Sequence, residues 1–429
     1  MPSKNQPDGP DAARPEPPSE MPPRRTCGTM PVHERLLRTN PAYARARTAS
    51  ENIHFAVQTG QRPLTRAAIT TIPVVVHVVH HTAAQNIPQE QIESQIDVLN
   101  LDYRMANPDV RSVPPPYSAV VADARIQFAL ATTDPSGAAT DGITRTSTRK
   151  ASFSDDDRVK SAATGGADPW PADRYLNIWV VPRLTSAIGD LLGYAQFPGA
   201  PAATDGVVIL HSAFGTNGTA SAPYNLGRTT THEVGHWLNL RHIWGDDGNG
   251  CNGDDFVADT PNQGGPNYGT PAFPHVSCAN GPTGDMFMNY MDYVNDAAMF
   301  MFTVGQAVRM QTCLEFDRNS IGSAAAAPAS ETPGPSKLQP GDGVPNLPFS
   351  ASPAPPAMAW TQPAPAAIQQ LMATAQQELS RYEAALNVLA SAGAAGQLGE
   401  EDRQRAEALY QEYVAFTGYL RQYLGLLGR

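Results

Sequence analysis

The sequence predicts an α/β (α+β) domain with a mixed, twisted sheet, followed by a separate C-terminal helical hairpin. Three observations carry this. Short apolar runs rich in Val and Ile alternate with segments of helical spacing between about residues 67 and 320. A stretch dense in proline then interrupts the chain, and two amphipathic repeats close it. With 429 residues, 41% of them hydrophobic, the chain is long enough for one sizeable core plus appendages.

Ile72 to Val79 reads as a buried strand, and Pro88 to Arg104 follows as a helix with Ile92, Ile96 and Leu99 on one face. Further strands are expected at 125–131, 142–146, 176–181 and 206–210, separated by loops containing Gly and Pro. Residues 1–24 hold eight prolines among Asp, Glu and Ser, a composition that cannot offset its ordering entropy, so they are expected to be disordered. Residues 321–365 hold eleven prolines and read as an extended linker. In residues 366–429, Leu371, Ala375, Leu379, Tyr382, Leu386 and Leu389 on one side, and Leu409, Tyr413, Phe416 and Leu420 on the other, predict a helical hairpin suited to self-association or another contact.

Charge divides the chain. Residues 1–66 carry ten Lys or Arg against six Asp or Glu, a net of +4, which leaves −15 on the remainder. An acidic body argues against a nucleic-acid partner, because phosphate contacts need a basic surface. The longest apolar run, Ile72 to Val79, is far short of the roughly 20 residues of a membrane span. The basic leader shows no apolar core of a standard signal peptide, so export is expected either by another route or from a leader already removed.

His232, Glu233 and His236 form H-E-x-x-H. On a helix, residues four apart share a face, so both imidazoles can meet one metal while Glu233 flanks the water bound there. A third histidine, His242, could not reach that metal on a continuous helix, which would carry it about 9 Å along the axis from His236. A break is required between them, at a residue that tolerates left-handed backbone, and Asn239 stands there. The strand histidines His77, His80 and His81 are expected to be core or edge residues, since His77 and His80 point to opposite faces.

The stretch from His232 to His242 resembles the metzincin signature H-E-x-x-H-x-x-G-x-x-H, with Asn239 in the place of Gly. Met288-Asn-Tyr-Met-Asp-Tyr293 resembles the Met-turn of the pappalysin (cytophagalysin) branch, with ulilysin-like enzymes the nearest group. The resemblance spans roughly residues 25–315 and implies a secreted zinc endopeptidase with Glu233 as general base. It implies that Met291 lies beneath the ligands and that Tyr293 stabilises the tetrahedral intermediate. Gly193, Tyr194 and Ala195 match an edge strand against which substrate backbone pairs, and Asp296 matches the wall of the S1′ pocket, favouring Lys or Arg after the scissile bond.

Cys251 and Cys278 match a family disulfide, which fits an oxidising compartment, while Cys313 is expected to be a buried free thiol. Cys27 resembles the cysteine switch of a zymogen prosegment over residues 25–66, the chain's own inhibitor. The adjacent Arg24 and Arg25 are expected to lower the Cys27 thiol and to dock the leader on the acidic body. Maturation is expected between Ser50 and Ala68, where Arg62 and Arg66 lie. Calcium, which family members hold nearby, is expected among Asp246, Asp247, Asp254, Asp255 and Asp259, with Asp254 and Asp259 as the named ligands. The alternative from another class is a zinc-containing peptide-binding or adhesion protein without catalysis, against which Glu233 and Tyr293 both argue because zinc binding needs neither.

Overall fold

The computed structural model describes residues 24–322 and Pro22, apart from positions 67, 188 and 249. The chain divides into a unit Met1–Ser323 and a unit Ala324–Arg429. The helical hairpin, nearly all of the Pro-rich linker and nearly all of the disordered N-terminus expected from sequence lie outside the described residues.

Two helices come first, α1 (Thr29–Thr39) and α2 (Pro41–Gln58), separated only by Asn40. That residue leaves the helical region, and its side chain accepts from the amides of Ala42 and Tyr43, capping α2 above a proline in its first turn. Strand β1 (Thr70–His80) then runs through the centre of a six-stranded sheet. Helix α3 (Gln89–Tyr103) crosses to β2 (Ile126–Leu130), and β3 (Ile143–Ser147) pairs with the same edge of β1 further along. On the other side of β1 lie β5 (Leu176–Val181), β9 (Val207–Leu210) and, at the edge, β8 (Gly193–Ala195). All pairings are parallel except β8 with β9, so the sheet is mixed, as expected. A minor sheet of β4 (Phe153–Ser154), β6 (Leu184–Ser186) and β7 (Gly189–Asp190) flanks it.

The central strands are buried on both faces, which is why they read as continuous apolar runs rather than alternating ones. One face packs Ile72, Val74, Val76 and Val78 with α3 and with helix α4 (Arg228–Trp237). The other packs Val79, Trp179 and Val208 with Val32 and Leu36 of α1 and Tyr43 of α2, so the leader completes a core rather than trailing from it. Helix α5 (Val304–Thr312), capped by Thr303 and Gln306 in a reciprocal box, ends in a π-helical turn over Cys313–Asp317. Among the described residues no helix is long and apolar enough to cross a membrane.

His77 is a core residue: its Nδ1 meets Thr144 Oγ1 at 2.7 Å and its Nε2 meets Asn177 Oδ1 at 3.0 Å. Burial holds its pKa down at about 4, against the pull of the Asn177 hydrogen bond. A free histidine titrates near 6.5, so the unfolded chain takes up this proton first as pH falls. Neutral His77 therefore contributes fully above about pH 6.5 and its contribution is lost between about pH 6.5 and 4, on the order of 3 kcal/mol in all. Urea unfolding of wild type and His77→Gln should converge in stability across that window; parallel pH profiles would contradict this assignment.

Candidate active site

Helix α4 lies under the sheet edge and is buried along its whole length. It stops at Leu238, and Asn239 turns the chain with a φ of 74°. Neither polar atom of the Asn239 side chain finds a hydrogen-bond partner among the described residues, so its tolerance of left-handed backbone, not its amide, suits it to this place. The turn brings His242 back beside His232 and His236. The Nε2 of His236 lies 3.1 Å from the Nε2 of each of the other two.

Each ring is oriented from behind. His232 Nδ1 donates to Tyr290 O at 2.7 Å, His236 Nδ1 to Leu240 O at 2.7 Å, and His242 Nδ1 to Asp246 Oδ1 at 2.6 Å. With the protons on Nδ1, three Nε2 lone pairs face one another at repulsive range, an arrangement suited to a shared cation. Burial lowers the pKa of His232 and of His236, which keeps both rings neutral and available as ligands. Trp244 stacks on the His242 ring at 4.3 Å. Together with Cys27 these histidines are the one group among the described residues whose donor atoms could hold an ion.

Met291 is fully buried beneath the helix, where a Cβ added at Gly235 would meet its Sδ at 2.5 Å. The close approach explains why glycine separates the two helical ligands. Gly193 has a similar reason: a Cβ there would lie 2.9 Å from Glu233 Cγ and from Val208 O, so only glycine lets the edge strand pass over the glutamate. Burial raises the Glu233 carboxyl to about 7, against the hydrogen bonds from Cys27 and Thr29. Tyr293 stands over the ligands, its ring 4.9 Å from that of His242.

The leader fills the cleft. Leu192 N donates to Thr26 O and Gly28 N to Gly193 O, and Cys27 pairs with Gly193 in parallel orientation. Cys27 Sγ lies 3.4 Å from Glu233 Oε2. Thr29 Oγ1 donates to Glu233 Oε2 at 2.9 Å and accepts from Ala195 N at 2.8 Å, tying the glutamate to the edge strand. Arg25 enters a buried pocket, donating to Asp296 Oδ1 at 2.5 Å, to Thr229 Oγ1 and to Val294 O, with its guanidinium over the Tyr224 ring. Asp296 is fully buried and also accepts from Leu226 N. Arg24 lies outside, over the Tyr268 ring at 4.9 Å.

One expectation needs correction. The arginines do not lower the Cys27 thiol: burial raises it, and the charge of Glu233 adds to the rise. Arg25 is instead committed to Asp296, so thiolate character at Cys27 would have to come from a metal. The carboxylates of the acidic loop named in the calcium expectation accept hydrogen bonds within the chain. Asp246 orients His242, Asp255 accepts from Val257 N and Thr260 Oγ1, and Asp259 accepts from Thr303 Oγ1 and Gly305 N, holding the start of α5. Asp254 accepts from Phe256 N. These carboxylates form no metal-binding group among the described residues. Cys251 and Cys278 are joined in a disulfide, and Cys313 is a buried free thiol whose pKa burial pushes well above the usual thiol range.

The sequence reading missed the groups behind the ligands. Tyr290, whose carbonyl accepts the hydrogen bond from His232 Nδ1, donates its hydroxyl to Asp102 on α3, and Asp102 also accepts from Thr231 of α4. Asp102 and Tyr290 are 188 residues apart, and no local pattern links them.

The fold and the trio of oriented imidazoles define a metallopeptidase of the metzincin type, and comparison with known proteins agrees. Residues 160–315 match the peptidase M43 family, described as pregnancy-associated plasma protein-A. An extracellular metalloprotease of Arthroderma benhamiae is 32% identical over 292 residues, covering 67% of this chain and 89% of that protein. Mature mirolysin of Tannerella forsythia, solved in complex with a cleaved peptide, is 51% identical with a TM-score of 0.57, covering 59% of this chain and 96% of that one. A promirolysin mutant from the same organism is 48% identical with a TM-score of 0.63, covering 69% and 96%. The chain belongs to this pappalysin family of zinc metalloendopeptidases.

Proposed function

We propose that the chain is a secreted, latent zinc endopeptidase that cuts before Lys or Arg and is held inactive by its own residues 25–66. The observation that carries this reading is Arg25 in the Asp296 pocket beside Cys27 at the histidine cluster: the leader occupies the cleft as a substrate side chain would. The solved relatives support it, since the match widens from 59% of this chain for mature mirolysin to 69% for the promirolysin mutant. The naming of relatives as extracellular, and the Cys251–Cys278 disulfide, support secretion.

His232, His236 and His242 would hold zinc, which when bound acts as a Lewis acid and lowers the pKa of water in its open position. Substrate backbone adds to the edge of β8 at Gly193–Ala195, which fixes its register without reading side chains. The Asp296 pocket takes the basic side chain that follows the scissile bond. Glu233 accepts a proton from the attacking water, holds it on its carboxyl and passes it to the leaving amine nitrogen. A group near neutrality suits both transfers. The Tyr293 hydroxyl donates to the developing oxyanion.

Latency ends when the leader is cut. Arg62 lies in an exposed stretch, 60–63, whereas Arg66 is tied down. Glu315 accepts from Thr65 N and Arg66 N, and the Arg66 guanidinium donates to Leu314 O and Ile321 O. Arg62 is thus the more exposed of the two, although its amide donates to Ala56 O and its guanidinium lies over the Phe316 ring, and the bond before it is the proposed cut. Purified full-length Cys27→Ala is expected to cleave a quenched peptide with a basic P1′ residue without the lag of wild type. An unchanged lag would remove Cys27 from the latency mechanism.

A further inference from the structure

The end of α4 leaves carbonyls without helical partners, and two buried arginines supply them. Arg318 Nε donates to Trp237 O at 3.0 Å, and its guanidinium is paired by both oxygens of Asp205, at 2.8 Å each. Arg309 Nε donates to Asn239 O at 2.7 Å, at the left-handed residue that returns His242 to the cluster. Its carboxylate partner is Glu51 of α2, with both oxygens 2.7 Å from one guanidinium nitrogen. Arg318 is thus neutralised from within the body, but the salt bridges formed by Arg309 among the described residues all run to the leader.

Glu51 is well fixed. It also accepts from Arg47 at 2.6 Å, and against burial, which raises its carboxyl, Arg309 and Arg47 hold it far below the usual carboxylate range. Arg47 in turn lies over the Phe197 ring at 4.9 Å, and Phe197 meets the edge of His236 at 5.5 Å. One turn of α2 therefore reaches His236 through Phe197 and the turn before His242 through Arg309.

We propose that Arg309 is a positioning residue for the turn that carries His242, and that Glu51 is its counter-charge. The leader then has a second function: besides closing the cleft in front, it supports the third ligand from behind. A buried guanidinium that loses its carboxylate is costly, and the compensating movement is transmitted to Asn239 O and so to His242. This rests on the proposed reading of the three histidines as zinc ligands.

The test uses the full-length chain carrying Glu233→Ala, which prevents self-cleavage, and follows zinc transfer to a colorimetric chelator together with the thermal midpoint. Glu51→Gln is expected to speed transfer about tenfold, in the range found for groups that orient ligands. Adding Arg309→Lys to it should speed transfer no further than either change alone. Asp317→Asn is the control, because it takes the negative charge away from the α2 contacts to Ser50 and His54 without altering a direct contact to the turn. It should lower the midpoint and leave zinc transfer within about twofold. If Glu51→Gln leaves transfer unchanged, or if Asp317→Asn speeds it equally, the positioning role is overturned. If the parent chain takes up no stoichiometric zinc, or His242→Ala does not reduce uptake, the zinc-ligand reading itself has failed.

Discussion

Replacing Glu233 by alanine is expected to lower kcat/KM of the leader-free enzyme by about 10³-fold or more while leaving its zinc content intact. The separation of the two readouts follows from geometry. Glu233 contributes no atom to the histidine cluster; its carboxyl is engaged by Cys27 and Thr29 of the leader and stands under the edge strand at Gly193. A positioned general base contributes about 10² to 10⁴ in rate, and here the same group must also return the proton to the amine. Steady-state cleavage of a quenched peptide, with metal analysis of the same preparation, checks both halves. Loss of zinc along with activity would mean that Glu233 supports the site structurally.

Asp296→Asn is expected to lower kcat/KM for a P1′ Arg peptide on the order of 10²-fold, and to change the P1′ Ala peptide little. The carboxylate is fully buried and faces Arg25 in the latent chain, so a substrate guanidinium arriving there exchanges water for one charged partner. Removing one member of such a pair costs about 2–5 kcal/mol, because the other charge is left desolvated and unmatched. Asparagine keeps the shape and an acceptor for Leu226 N, so the fold should hold. The same substitution should weaken the grip of the leader and shorten the lag before activity. An unchanged Arg preference would place the specificity elsewhere in the cleft.

Much of this was legible in the chain because it is written locally. The buried strands read as apolar runs, with 176–181 recovered to the residue and β1 longer by two residues at its start. Helix α3 was placed within a residue at either end. The histidines are close in sequence, and the helix geometry alone required a left-handed break at Asn239. What escaped depends on pairings across the fold. Asp246 looks like any acid in a Gly- and Asn-rich loop until His242 folds onto it. Arg25 and Asp296, or Glu51 and Arg309, are ordinary charges hundreds of residues apart, and their burial together is a property of the finished core. The helices of the leader were equally hidden, since a basic, polar segment gains its reason to fold from the apolar face it covers.

The central claim, a zinc endopeptidase reading a basic residue after the scissile bond, is tested most directly by mapping cut sites in a protein digest by mass spectrometry. Leader-free enzyme is compared with its Glu233→Ala variant under the same conditions. Cuts present only with the parent enzyme and concentrated before Lys and Arg are the predicted result. Identical digests from the two proteins would contradict it and leave a zinc-containing peptide-binding protein as the better account of the fold.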